Sequence, residues 1–333
     1  MRYIIYGAGA VGSSLGGYLA RIGSEAVLVG RPQHVARVRT EGLSIKDGEG
    51  IHNIQVKAVD SLEAIPEGPE DVIFLCVKSQ DTEGAMTELR KWAPSELPIF
   101  CFQNGVRNEE IAAEFFENIY GVLVSVGVRY VGPGQIVHYA PKSLTLGRYP
   151  NGLDDLADSV GDVLNAAGYK ITLSSNVMAV KWSKLIMNLS NAFYAITGLS
   201  ILEGQNIFEG RAFLADIFEE GILVLESARI KYEPIPDHPS PRETVDRLRQ
   251  STEPRPLPEN PDFNYYPSTW QDLQLRRGAT EVASFNGEIV TLGKQFGIPT
   301  PLNELLQRSV EDMAANNVPP GKYSVAELRA MLA

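Results

Sequence analysis

The chain has 333 residues, 44% of them hydrophobic, and its 41 acidic against 30 basic side chains leave a formal net charge of -11. At about 100–200 residues per domain this is a folded protein of two domains, which excludes the disordered and fibrous classes. An acidic surface without a concentrated basic patch repels phosphate backbones and anionic leaflets, so neither nucleic acid nor a membrane is expected as a partner. Cys76 and Cys101, the only cysteines, sit in apolar stretches and read as free thiols, and four scattered histidines offer no metal-ligand spacing. No apolar run approaches the roughly 20 residues that span a bilayer, and the first segment lacks the long apolar region of a signal peptide. A cytoplasmic location is expected.

Residues 2–6 read as a strand, followed by glycines and then a segment of helical spacing that runs to Ile22. Strand signals recur at 26–29, 71–77 and 97–102. An amphipathic stretch with Met86, Leu89 and Trp92 separates the last two, and the Ile111, Phe115, Phe116 pattern follows them. This alternation predicts βαβ units and a parallel sheet. Residues 120–146 differ, because β-branched residues and the turn Gly132-Pro133-Gly134 predict hairpins that close the first domain. A helix over 154–167 and a strand over 169–173 complete it. From Asn176 onward only long helical patterns remain, which sets domains of 1–174 and 175–333. The predicted fold class is α/β, a Rossmann-like dinucleotide-binding domain followed by an all-helical domain. Nine of the 21 prolines crowd into 233–267. This region therefore reads as a Pro-rich insertion with a short helix over 242–250 and a long loop over 251–267.

Gly7, Gly9 and Gly12 form G-x-G-x-x-G between the first strand and the first helix. The first glycine suits the tight turn, the second lets the backbone approach a pyrophosphate, and the third lets helix pack on strand. The anion would sit on the free amides of the helix N-terminus. Gly16 and Gly17 read as packing positions. Where NAD-selective sites carry a carboxylate at the end of the second strand, this chain has Gly30-Arg31, with Arg31 standing 19 positions beyond Gly12. Arg31 either grips the 2'-phosphate of NADP or starts a solvated loop. Lys78, at the carboxyl end of the third strand signal, is either a second cofactor cation or an ordinary surface lysine. Asn104 lies in Gln103-Asn104-Gly105, primarily a turn signal, at the same edge of the sheet.

In the second half, residues 181–198 read as one helix on which Lys184, Asn188 and Asn191 share a face, since seven steps of about 100° return Asn191 to within about 20° of Lys184. The stripe is either the only wet side of that helix or the wall of a cleft between the domains. Ser268 opens a further helix, expected to reach Glu281. There Ser268 with Gln271, or Thr269 with Asp272, also fits a capping box.

Taken in order, several segments make the chain resemble the ketopantoate reductases (2-dehydropantoate 2-reductases) over nearly its full length. These are GAGAVG at 7–12, Arg31, CVKSQD around Lys78, QNG around Asn104, KWSKLIMN around Lys184 and Asn188, STWQDL from Ser268, and TEVASFNGEIV around Glu281. The resemblance implies that Gly7, Ala8, Gly9, Ala10, Val11 and Gly12, with Arg31 and Lys78, hold NADP. It makes Lys184 the catalytic acid and Asn104 a contact near nicotinamide and substrate. Asn188 and Ser268 become substrate-binding groups, with Asn191 on the same stripe, and Glu281 a polar group beside substrate and cofactor.

The implied reaction is reduction of a small 2-oxo acid by NADPH, ketopantoate to pantoate in pantothenate biosynthesis, without a metal. Four departures from the family pattern surround the presumed acid pocket. Ala192 and Tyr265 replace asparagines, the Asp272 to Glu281 spacing is one residue longer, and the proline-rich loop is enlarged. The aromatic residues Phe263, Tyr265 and Tyr266 therefore leave open a reductase of the same family with another oxo substrate. A third reading is a non-catalytic NADP-binding sensor, against which the joint presence of Lys184, Asn188, Ser268 and Glu281 argues. The helical domain offers a surface on which two copies could pair as a homodimer.

Overall fold

The computed structural model describes residues 1–66, 68, 70–251, 254, 256, 257 and 264–332. Two compact units emerge, Met1–Lys181 and Trp182–Ala333. The first contains β1 (Arg2–Tyr6), α1 (Ala10–Arg21), β2 (Glu25–Val29), α2 (Pro32–Glu41), β3 (Leu43–Asp47), β4 (Gly50–Ile54), β5 (Lys57–Val59) and β6 (Asp71–Leu75). It continues through α3 (Thr82–Trp92), β7 (Ile99–Cys101), α4 (Asn108–Ala113), β8 (Ile119–Gly132), β9 (Gln135–Arg148), α5 (Asp155–Ala166) and β10 (Lys170–Leu173).

The strands form one sheet in the order β4-β3-β9-β8-β7-β6-β1-β2-β5, with β10 beside β9. From β5 to β8 every pairing is parallel, and the path 5-2-1-6-7-8 reproduces the Rossmann order, with its switch point between β1 and β6. Alternation along β1 sends Tyr3 and Ile5 into one core with Leu15, Leu19, Val160 and Leu164. It sends Ile4 and Tyr6 into another with Met86, Leu89 and Ala112. Helices thus cover both faces, as a parallel sheet requires.

The sheet is mixed, parallel from β5 to β8 and antiparallel where a hairpin is expected over 120–146. β8 and β9, 14 residues each, make an antiparallel hairpin about the anticipated Gly132-Pro133-Gly134 turn. The β3–β4 hairpin, antiparallel within itself, joins β9 in parallel. β3 and β4 lie outside the expected strands, although Leu43 and Ile45 alternate inward before the Gly48-Glu49-Gly50 turn.

Among the described residues of the second unit the regular elements are all helices. It holds most of α6 (Val177–Asn188), then α7 (Ser190–Thr197), α8 (Ile201–Asn206), α9 (Phe208–Ser227), α10 (Pro241–Gln250), α11 (Ser268–Gln274), α12 (Asn286–Phe296), α13 (Pro301–Ala315) and α14 (Val325–Ala330). The 20-residue α9 is its central element, packed by α7, α8, α10, α12, α13 and α14. Ser240 and Glu243 close a capping box on α10. The long-loop expectation falls largely on residues outside those described, Phe263 among them. No described helix is long and apolar enough to cross a membrane.

Two helix expectations need correction. The single helix over 181–198 is two helices broken at Leu189. The Ser190 hydroxyl takes the Met187 carbonyl (2.7 Å), while Asn286 Nδ2 donates to the Leu189 carbonyl (3.1 Å). A serine bonding back onto its own turn competes with the helix ladder. The helix from Ser268 stops at Gln274 rather than reaching Glu281. Arg276 turns left-handed (φ 50°), and Arg277 N–H closes the end on the Asp272 carbonyl (3.1 Å).

Candidate active site

Parallel register brings the ends of four strands level. Tyr6 stands beside Val29 and Leu75, and Leu75 beside Cys101. The segments that follow, beginning at Gly7, Gly30, Cys76 and Phe102, therefore leave from one carboxyl edge, on both sides of the switch point. Gly7 N–H and Ala8 N–H both donate to the Val29 carbonyl (3.0 and 2.9 Å), which folds the glycine turn against the end of β2. Gly7 has φ +110°, and a Cβ there would stand 2.7 Å from the Cys76 carbonyl carbon and Val77 nitrogen. At Gly12 a Cβ would lie 2.2 Å from the Gly7 oxygen, so only glycine lets α1 start so close to β1. Gly9 differs, since its missing Cβ would meet nothing within 4 Å. The turn is filled from behind and open in front. Gly16 and Gly17 make room for Leu28 and Ile45, in keeping with a packing role.

Ala10 and Val11 form the first turn of α1, which has neither a capping side chain nor an acidic residue. The first turn of α2 likewise lacks both, and its N-cap is the exposed Arg31. Two helix starts with uncancelled positive dipole ends therefore flank the glycine turn, a donor set suited to phosphates. Lys78 is half-buried, three residues past β6, and its carbonyl accepts from Asp81 N–H (2.9 Å) in the short 3-10 turn that follows. Asn104 precedes Gly105, which adopts φ +82°. Its carbonyl accepts from Ser79 Oγ (2.9 Å) and Asn108 Nδ2 (2.7 Å), and Thr82 Oγ1 links Gln103 Nε2 to Asn108 Oδ1 (both 2.8 Å). The Asn104 backbone is thus held from several sides while its side-chain oxygen is buried without a protein partner. A buried, unsatisfied amide oxygen at this edge is what a ligand donor would complete.

Thr82 and Asn108 carry no signal in the sequence pattern, Ser79 and Gln103 stand in the noted segments without a role of their own, and a buried ion pair is likewise unsignalled. Lys181 Nζ donates to Glu109 Oε1 and to the Gln103 carbonyl (3.2 Å), both side chains being almost wholly buried. Burial pushes the Glu109 carboxyl up, against the lowering pull of Lys181. The pair spans 72 residues, beyond any local signal. On the β3–β4 hairpin, Asp47, Glu49 and His52 bring potential ligand atoms within 4.8 Å of one another. The cationic place there is taken by Lys142, 3.7 Å from Asp47 and 3.8 Å from the centre of the Tyr18 ring.

In the second unit, Lys184 and Asn188 sit half-buried one turn apart on α6, and Asn191 is buried on α7 beyond the break. Ser268 does not cap its helix. Pro267 is the N-cap, Gln271 Nε2 turns back to the Tyr266 carbonyl (2.9 Å), and Asp272 is engaged by Arg277 (2.7 Å). Both capping-box readings fail, which leaves Ser268 half-buried in the first turn. Glu281 is buried at the start of the 3-10 turn Val282–Ser284 that leads into α12. α11 packs on α7, and Asn286, the first residue of α12, reaches the Leu189 carbonyl. The segments bearing Ser268 and Glu281 are therefore tied to the junction between Asn188 and Asn191. Asn303 Oδ1 accepts from Asn286 Nδ2 (2.9 Å), and Asn303 Nδ2 donates to Glu220 (2.7 Å). The Glu220 carboxylate also caps α13 through the amides of Leu302 and Asn303 (3.0 and 2.9 Å).

Comparison with known proteins adds to this geometry. Residues 3–151 match the family described as Ketopantoate reductase PanE/ApbA, and residues 176–314 match Ketopantoate reductase PanE/ApbA C terminal. A 2-dehydropantoate 2-reductase of Pyrococcus abyssi (strain GE5 / Orsay) is 30% identical over 310 residues, 92% of this chain and 95% of that protein. The crystal structure of a PanE/ApbA family ketopantoate reductase from Ralstonia eutropha JMP134 has a TM-score of 0.81 at 28% identity, covering 95% of this chain and 99% of that one. The ternary structure of D-mandelate dehydrogenase with NADH and anilino(oxo)acetate has a TM-score of 0.82 at 24% identity over 95% and 99% of the two chains, a likeness of fold.

Proposed function

The chain belongs to the ketopantoate reductase family, and on that premise we propose that it is an oxidoreductase that uses NADPH to reduce 2-dehydropantoate to pantoate. The observation that carries this reading is the register that aligns the glycine turn, Arg31, Lys78 and Asn104 on one edge of the sheet. The opening in front of Gly9, the uncapped starts of α1 and α2, and the unsatisfied Asn104 oxygen fit a dinucleotide phosphate at one end and a polar ring at the other. Gly7, Ala8, Gly9, Ala10, Val11 and Gly12 would hold the pyrophosphate. Arg31, with Lys78, would hold the 2'-phosphate, the feature that selects NADP over NAD. Asn104 and Glu281 would contact the cofactor near its reactive ring.

When bound, the reduced nicotinamide supplies a hydride to the carbonyl carbon. As negative charge develops on the carbonyl oxygen, the Lys184 ammonium stabilises it and gives it a proton, a task typically worth about 10²–10⁴-fold in rate. Asn188, Asn191 and Ser268 hold the carboxylate and hydroxyl of the acid. Glu281 orients the lysine or accepts from the nascent hydroxyl. The test is NADPH oxidation with ketopantoate by the wild type and Lys184→Ala, in which kcat should fall by about 10²–10⁴ with NADPH binding retained. Equal turnover by the variant removes the lysine from the mechanism, and no oxidation by the wild type removes the substrate.

One observation favours a second reading, a reductase of the same family acting on another oxo compound. Eight residues beyond Lys184 stands Ala192, a methyl group 1% exposed, which offers no polar contact. A panel of 2-oxo and 3-oxo acids decides between the two by rank of kcat/KM.

A further inference from the structure

His34 is the most buried titratable side chain of α2, 3% exposed, and the cofactor reading gives it no task. It sits in the first turn of α2, three residues after Arg31, and three polar groups surround its ring. Gly134 N–H, in the β8–β9 turn, donates to Nδ1 at 3.1 Å. A backbone amide can only donate, so Nδ1 is unprotonated and the ring proton sits on Nε2. Nε2–H faces Ser13 Oγ at 3.2 Å, and Ser13 Oγ donates onward to the Ala8 carbonyl at 3.3 Å. Tyr130 OH lies 3.3 Å from Nδ1. Burial lowers the pKa of the ring, in keeping with this neutral tautomer. One imidazole therefore ties together the helix that begins at Arg31, the hairpin turn at Gly134 and, through Ser13, the carbonyl of Ala8 inside the glycine turn. The apolar side chains Val35 and Val38 fix the depth of α2, and Arg39, in its last turn, donates from Nε to the Ala58 carbonyl at 2.7 Å. The His34 bonds lie in the first turn, beside Arg31, and through Ser13 they run to the cofactor turn itself.

We propose that His34 is a positioning residue for cofactor selection, holding the N-cap Arg31 at a fixed offset from the Gly7–Gly12 turn so that one dinucleotide spans pyrophosphate and 2'-phosphate sites together. This rests on the reading of Arg31 as the 2'-phosphate group. The wild type is therefore measured first with NADPH and NADH. If it does not prefer NADPH, that reading fails and the proposal with it. If it does, His34→Phe, which keeps the ring and removes both bonds, should raise KM for NADPH about tenfold, the scale of a lost buried hydrogen bond, and leave KM for NADH and kcat within about twofold. His34→Gln, whose amide nitrogen reaches toward the place of Nε2 and can donate to Ser13, should recover most of the preference. Should His34→Phe fail to fold, Ser13→Ala cuts the same tie at its other end and should lower the NADPH to NADH ratio of kcat/KM several-fold. An unchanged ratio in these variants overturns the proposal and leaves the Arg31 reading standing. An equal loss with both cofactors also overturns it, because that is the signature of a structural role alone.

Discussion

Replacing Lys181 by methionine removes the cation from a pair whose side chains are 3% and 0% exposed. Glu109 would then face the protein interior without a compensating charge, a loss of about 3–5 kcal/mol when one partner of a buried pair is deleted. The alternative open to the carboxyl is to take up a proton, and this makes the loss depend on pH. In the wild type, burial already pushes Glu109 up while Lys181 pulls it down. Without Lys181 the folded value rises further above the unfolded one, and the folded state binds the proton more tightly. No penalty then exists below the ordinary carboxylate range. It accrues as pH climbs through the folded value and is complete above it. At about 2–4 °C per kcal/mol for units of this size, Lys181→Met should melt roughly 10 °C below wild type near pH 8 and much closer to it near pH 5. The double variant Lys181→Met with Glu109→Gln carries no buried charge and should lose less than the two single variants added together, by about 1–3 kcal/mol. Thermal unfolding followed by circular dichroism at both pH values is the assay. A deficit near pH 8 of under about 1 °C, or one that does not grow with pH, would refute the buried-pair argument.

Gly7→Ala puts a Cβ 2.7 Å from the backbone of Cys76 and Val77 at φ +110°. The displaced turn should weaken NADPH binding at least about tenfold in a fluorescence titration, since strain of this kind costs about 1–3 kcal/mol. Arg31→Ala should raise KM for NADPH by about 10–100-fold, the scale of a charge-assisted bond, and change KM for NADH by less than about threefold; a parallel rise for both cofactors would assign the 2'-phosphate elsewhere. Burial pushes the thiols of Cys76 and Cys101 well up, so both remain protonated at neutral pH. Cys76 is partly buried and Cys101 fully so, so iodoacetamide should leave Cys101 of the folded protein unmodified over a period that fully alkylates it in urea, and rapid labelling of Cys101 in the native chain would contradict its burial.

Local features were legible because they are written within a few consecutive residues. The strand–glycine–helix start, Arg31 at the end of β2, the turn at Gly132-Pro133-Gly134, and the helix that follows the Asp154 cap, whose carboxylate accepts from Ala157 N–H at 3.0 Å, all rest on residue chemistry and short-range periodicity. Tertiary structure decided what depends on partners far away in sequence. The break at Leu189 is joined by Asn286, 97 residues on. The tautomer of His34 is set by Gly134, 100 residues on. Lys181 is buried because Glu109 waits 72 residues earlier. The stop of α11 at Gln274 needed a left-handed Arg276, a conformation that arginine does not advertise. Sequence determined which groups stand at the carboxyl edge of the sheet, because strand ends and their following turns are local. Only packing determined which polar groups were buried and with whom, because a polar group removed from water must find its partner wherever the fold brings one.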